Sequence, residues 1–149
     1  MSVRAGDARD WDFARDLGLR TIASSRSRGA TDAALAAGYE RLLDAVASQS
    51  HVLLVAQAAD LPVGFLFLLD ALPDEVGLQP QGFVAYMAVE PAFSRRGVGT
   101  ALLSAAEDEA RRRGIAYMSL MVTESNAPAR RLYERAGYLT ERRQLCKRL

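Results

Sequence analysis

From His51 onward, short, densely apolar runs alternate with longer stretches in which apolar residues return every three or four positions; the first pattern predicts strands and the second helices. His51 to Ala58 and Val63 to Leu69 are β-like runs joined by Ala59-Asp60-Leu61-Pro62, which predicts a hairpin with a bulge at Gly64. Asp70 to Pro80 holds Pro73, Gly77 and Pro80 and reads as a surface loop. Phe83 to Val89 is the next strand. Gly99 to Arg113 follows as a helix that buries Val98, Leu102, Ala105, Ala106 and Ala110 and stops at Gly114. Ala116 to Val122 is apolar almost throughout, as a strand covered on both faces would be. Asn126 then caps a helix with Pro128 in its first turn and Ala129, Leu132, Tyr133 and Ala136 on its inward stripe, ending at Gly137. The segment Tyr138 to Leu149 reads as a last strand.

The first fifty residues are patterned less sharply. Ser2 to Arg4 reads as a short strand and Ala8 to Ser24 as a helix, although Trp11, Phe13, Leu17, Leu19 and Ile22 make no clean stripe. A second helix is clearer: Leu35, Tyr39, Leu42, Leu43 and Val46 fall at helical spacing behind Thr31 or Asp32 as its cap. Between the two helices, Ser24 to Gly29 is a polar loop. Strands and helices in this mixed order predict an α/β fold.

Composition bounds the class. At 149 residues, half of them hydrophobic, the chain is expected to form a single domain, 1–149, with a core of its own. Nineteen Lys and Arg against eighteen Asp and Glu leave a net charge of +1, which disfavours a nucleic-acid partner, since such affinity comes from neutralising phosphates over a basic surface. One cysteine, Cys146, and one histidine, His51, leave no disulfide framework and no structural metal site, and fit a reducing compartment. No apolar run approaches the roughly 20 residues of a membrane span, and the first residues lack the apolar stretch of a signal peptide, so the expected location is the cytoplasm, with no membrane partner.

Chemistry concentrates where a strand ending at Val89 turns into a helix through Glu90-Pro91-Ala92-Phe93-Ser94-Arg95-Arg96-Gly97-Val98-Gly99-Thr100. The free N–H groups at a helix start and the positive end of its dipole hold anions, and glycines let a phosphate approach the backbone. A dinucleotide fingerprint would need a third glycine where Leu102 stands, and a P-loop would need Gly-Lys followed by Ser or Thr, which the chain does not contain.

What the segment resembles is the coenzyme A pyrophosphate loop of the GCN5-related N-acetyltransferase (GNAT) family. Val89-x-Pro91, then Arg96-Gly97-Val98-Gly99-Thr100-Ala101-Leu102-Leu103, then Asn126-x-x-Ala129-x-x-Leu132-Tyr133-Glu134-x-x-Gly137-Tyr138 stand in the family's order and spacing, so the resemblance covers Phe83 to Tyr138 closely. It implies a central, mostly antiparallel sheet with a splayed parallel strand pair and about four helices. It also implies acetyl-CoA as co-substrate, with no metal. The family's loop usually opens with Gln or Arg, and here Ser94 takes that place, with Arg95 or Arg96 left to supply the charge.

On this resemblance the pantetheine arm lies along Met87, Ala88 and Val89, whose backbone N–H groups are placed to stabilise the oxyanion of a tetrahedral intermediate. The pyrophosphate falls to Ser94 through Thr100. Asn126 caps its helix and touches the pantetheine region. Tyr133 is the candidate catalytic acid: its phenol, protonated at neutral pH, donates to the departing thiolate. The implied reaction is direct attack of a primary amine on the thioester, with no covalent enzyme intermediate.

The general base stays unassigned. Some family members carry a carboxylate on the strand before the asparagine helix, and Ala116 to Val122 has none; Glu90, Glu124 and His51 read more readily as surface or structural residues. Tyr86 lines the acceptor site or relays a proton through water. The acceptor is a small-molecule or peptide amine, and the short segment after Gly137 leaves its site open on one side or completed by a second subunit of a homodimer. Two other readings stand beside this one: a catalytically silent coenzyme A-binding module acting as sensor or partner, and an acyltransferase for longer acyl groups. The small residues Ala85, Ala88 and Ala129 do not choose between acyl lengths.

Overall fold

The protein is described by a computed structural model covering residues 1–149. Five strands form one sheet in the order β1 (Ser2–Ala5), β2 (His51–Ala58), β3 (Leu61–Pro73), β4 (Pro80–Val89) and β5 (Met118–Leu120). The first four run antiparallel to their neighbours and β5 lies parallel to β4. Helices α1 (Asp10–Thr21) and α2 (Asp32–Ala47) cover one face, and α3 (Val98–Arg112) and α4 (Ala127–Arg135) the other. This α/β arrangement, with its mixed sheet and four α-helices, is the expected one.

The strand β3 is the spine of both cores. Because side chains alternate across a strand, Phe65, Phe67 and Leu69 pack with Ala14, Leu17, Tyr39, Leu43 and Val46 under α1 and α2, while Leu66 and Leu68 pack with Val98, Leu102, Leu103 and Ala106 under α3. The weak stripe of α1 has a physical cause. Its contact with α2 is made at Gly18, where an added Cβ would lie 2.0 Å from Cζ of the buried Tyr39. The Tyr39 hydroxyl donates to the Ala14 carbonyl at 2.7 Å, so the ring is fixed in place. At the other end of α1, Asp10 accepts both terminal nitrogens of Arg4, at 2.7 and 2.9 Å, and ties the helix to β1. The cap of α2 is Thr31, whose hydroxyl oxygen accepts from the Ala34 N–H at 3.1 Å.

Several boundaries differ from the sequence reading. The loop expected over Asp70 to Pro80 shrinks to the turn between Pro73 and Pro80, because β3 and β4 stay paired as far as those two residues. The bulge expected at Gly64 falls on its neighbour Val63, the extra residue between the pairs Ala56–Gly64 and Gln57–Pro62. Helix α1 ends at Thr21 and a 3-10 turn over Ile22–Ser25 follows.

The strand expected over Ala116 to Val122 is only Met118–Leu120 long, and it is an edge strand rather than one covered on both faces: Tyr117 and Met121 are exposed. The strand expected over Tyr138 to Leu149 is not formed. Only Tyr138 packs inward; Leu139, Leu145 and Leu149 are exposed, and Arg142 meets Asp74 in the β3–β4 turn at 2.7 Å. A segment carrying Glu141, Arg142, Arg143, Lys147 and Arg148 offers no alternating apolar face to bury.

Candidate active site at the split between β4 and β5

The strands β4 and β5 pair only from Gly82 to Val84, against Met118 to Leu120. A bulge then inserts Ala85 into β4, between the partners of Phe67 and Leu68. Bulges bend the strand that carries them, and beyond this one β4 runs on to Val89 with no partner on its β5 side. The result is a gap open to groups from both layers. Tyr86 and Ala88 belong to the α1–α2 side, Met87 and Val89 to the α3–α4 side.

The anion cradle lies directly after β4. Pro91–Phe93 form a 3-10 turn, Arg95 sits at φ +63°, and Gly97 takes φ +81° as the residue before α3. No side chain caps α3 and no acidic residue stands in its first turn, so the N–H groups of Val98, Gly99 and Thr100 remain available at a positive helix end. Ser94, Arg95 and Arg96 are exposed around it, neither arginine is in an ion pair, and Arg96 lies over the Phe93 ring at 5.4 Å.

The two glycines act differently from each other. A Cβ on Gly97 would meet nothing within 4 Å, so Gly97 is there for its left-handed backbone. On Gly99 a Cβ would come within 2.9 Å of Leu132, so this glycine lets α4 close on α3.

Asn126 caps α4 as expected, its Oδ1 accepting from the Ala129 N–H at 3.3 Å. That helix delivers Tyr133, which packs into the α3-side cluster with Leu132 and meets the Tyr138 ring edge-on at 6.1 Å. Burial holds the Tyr133 phenol above its ordinary value, and the field of Tyr86 adds to the rise. Tyr86 approaches from the opposite layer, between Tyr39 at 5.0 Å and Phe65 at 6.1 Å. Burial raises it too, against a smaller opposing effect of the Thr21 and Ser25 hydroxyls nearby. The Thr123 hydroxyl donates to the Ser25 carbonyl at 3.1 Å, joining the segment after β5 to the turn after α1. The split therefore collects two phenols and three hydroxyl residues from four separate segments.

The three base candidates lie elsewhere or are already paired. Glu90 takes both terminal nitrogens of Arg20 at 2.6 and 3.1 Å. Glu124, almost fully exposed, faces Arg130 at 3.2 Å. His51, at the start of β2, meets the Trp11 ring edge-on at 5.4 Å, with its Nδ1 2.8 Å from the Gln49 carbonyl. Sequence motifs gave no signal for the Arg20–Glu90 pair or for Thr21 and Ser25, which reach the site from 61 or more positions before Tyr86 and Glu90 only through packing. No helix is long and apolar enough to cross a membrane, and no three His, Cys, Asp or Glu side chains gather as a metal site would require.

Comparison with known proteins bears on the family and the fold. The chain is 46% identical over 52 residues to the [ribosomal protein bS18]-alanine N-acetyltransferase of Escherichia coli (strain K12); the match spans 35% of each chain. The curated relatives it matches are thus covered over about a third of their length or less. In fold it follows a GCN5-related N-acetyltransferase from Ralstonia eutropha JMP134, with a TM-score of 0.75 and 24% identity over 99% of this chain and 97% of that one. It also follows the aminoglycoside N-acetyltransferase AAC(6')-Iy in complex with CoA, with a TM-score of 0.72 and 18% identity over 99% and 98% of the two chains. The model of the acetyltransferase (GNAT) family matches residues 13–138, from α1 through the cradle and the split to Tyr138, and the chain belongs to that family.

Proposed function

We propose that the chain transfers the acetyl group of acetyl-CoA to a primary amine. The observation that carries this reading is the placement of an uncapped, acid-free helix start beside an unpaired strand edge, with the half-buried phenol of Tyr133 on the helix that closes on α3. The N–H groups of Val98, Gly99 and Thr100, with Ser94, Arg95 and Arg96 around them and Gly97 holding the turn, suit a pyrophosphate. The unpaired edge of β4 at Met87, Ala88 and Val89 suits the amide-bearing pantetheine arm, and Asn126 borders it from α4.

The bound co-substrate supplies an acetyl group activated as a thioester. Backbone N–H groups of β4 steady the oxyanion that forms when the amine attacks. Tyr133 gives its proton to the sulfur as the carbon–sulfur bond breaks, and solvent returns a proton to the phenol afterwards. Residues 1–149 act as one unit in this reading, in the cytoplasm, alone or as a homodimer that closes the acceptor side.

Release of free thiol from acetyl-CoA across amines, peptides and aminoglycosides tests the proposal. Turnover with an amine is the expected result. Thermal stabilisation by coenzyme A without turnover on any acceptor would favour a binding module, a reading supported by the occupied carboxylates around the split. The cradle has its own test in Gly97→Val. A β-branched residue held at φ +81° costs of order 1–3 kcal/mol, so the loop should give way and the Kd for acetyl-CoA should rise about tenfold or more. Unchanged affinity by titration calorimetry would place the phosphates elsewhere.

A further inference from the structure

The groups that border the split, taken element by element, are unusual for a site that must accept an ammonium ion. From α1 and the turn after it come Thr21 and Ser25; Arg20, beside them, is held by Glu90 and Asp16. From α2 comes Tyr39, whose hydroxyl is spent on the Ala14 carbonyl. The strand β4 gives Tyr86, and its one carboxylate neighbour, Glu90, is closed in the bidentate pair. The segment after β5 gives Thr123, with Glu124 turned out to solvent against Arg130, and α4 gives Tyr133. The polar side chains that border the split outside ion pairs are thus hydroxyls and phenols; those of Thr21 and Thr123 donate to the Leu17 and Ser25 carbonyls, which leaves their oxygens to accept from an incoming amine. Such groups orient a neutral amine by hydrogen bonds, but they take no proton from an ammonium at neutral pH.

We infer that the acceptor is an α-amino group, presented by a peptide N-terminus or by a small amino-acid derivative, rather than a lysine side chain, because hydroxyls and phenols face the split while its carboxylates are held in ion pairs. The inference rests on the acetyl-transfer reading above. Its logic is one of supply. An α-amino group, with a pKa of about 7.7–8.0, is neutral in about one molecule in eight at pH 7; a lysine amine, at about 10.4, is neutral in about one in 2,500, a difference of about 300-fold. The neutral amine attacks the thioester carbon, the carbon–sulfur bond breaks, Tyr133 protonates the leaving sulfur, and the amine's surplus proton leaves to water along the hydroxyl-lined wall. Tyr86 is placed as a positioning residue for the amine within that wall.

Three acceptors test this with the full chain: alanine amide, a lysine-free peptide beginning with alanine, and an N-terminally blocked peptide with one lysine. At pH 7 the first two should exceed the third in kcat/KM by about 100-fold or more, in keeping with their neutral fractions. Alanine amide outpacing the peptide would identify a small amino-acid derivative as the source, and the reverse a peptide terminus. For each acceptor, kcat/KM should rise with pH only as far as that acceptor's own amine pKa and then level. Two results would overturn the inference while leaving acetyl transfer intact: the lysine peptide matching the others at pH 7, or one common ascending limb for all acceptors, which would report a base on the protein. No turnover with any amine, despite coenzyme A binding, would remove the transfer reading itself and this one with it.

Discussion

Tyr133→Phe is expected to lower kcat about 100-fold, the scale of one general acid, while the Kd for acetyl-CoA stays within about twofold of the parent. The ring packs against the α3-side cluster and meets Tyr138 edge-on at 6.1 Å, so removing one oxygen leaves the packing in place. What is lost is a proton at the sulfur. A thiol of pKa about 8.5 leaves less readily as a bare thiolate than as a thiol. The pH dependence follows from the direction in which burial moves the phenol. Raised above its ordinary value of 10.0, Tyr133 stays protonated through the neutral range, so kcat should show no descending limb until the medium passes that value. In the Phe variant the residual rate should lack that limb. Stopped-time thiol release across pH, with affinity from calorimetry, separates the two quantities; an unchanged kcat would reduce Tyr133 to a packing residue.

The largest stability effect is expected at Gly18, far from any reacting atom. Its missing Cβ would stand 2.0 Å from Cζ and 2.1 Å from the hydroxyl of Tyr39, a side chain 1% exposed and anchored to the Ala14 carbonyl. Tyr39 sits within the closed core with the Tyr86 ring 5.0 Å away, so it has little room to swing and α1 must move off α2. Gly18→Ala should destabilise by about 3 kcal/mol, the upper part of the range for overpacking, and lower Tm by about 9 °C for a chain of this size. Thermal unfolding followed by circular dichroism gives the shift directly. A loss below about 1 kcal/mol would mean that the two helices can part at little cost. Because α1 also carries Arg20 and Thr21 toward the split, acceptor KM should rise in the same variant.

The ease of reading each part of the chain follows from how local its cause is. The cap at Asn126 and the glycine at Gly97 are set by the few residues around them, so their roles were visible in the order of residue types. Gly99 was visible as a glycine but not in its purpose, since the Leu132 it accommodates lies on another helix. Ala116 to Val122 reads as a buried strand because apolar residues look alike whether covered or not; only the bulge at Ala85, which ends the pairing after Leu120, explains why Met121 stands in solvent. The contact of Gly18 with Tyr39 and the bond of Arg20 to Glu90 join segments remote in the chain, and no periodicity encodes them. The same holds for the hydroxyls around Tyr86. Half of the candidate site was thus legible, the half proposed to hold the donor.

The split between β4 and β5 also bears on the order in which the molecule assembles. The meander β2–β3–β4 closes through short turns, and its centre at Phe65 to Leu68 is wholly buried, so it combines early pairing with the firmest core. The pairing of Gly82 with Met118 must instead wait for the whole of α3 to be laid across the sheet, and it is then held by only three residues of β5. Amide hydrogens of β5 should therefore exchange long before those of β3. The candidate site borders this three-residue pairing, so the strand edge proposed for the donor lies beside a contact that opens more readily than the centre of the meander.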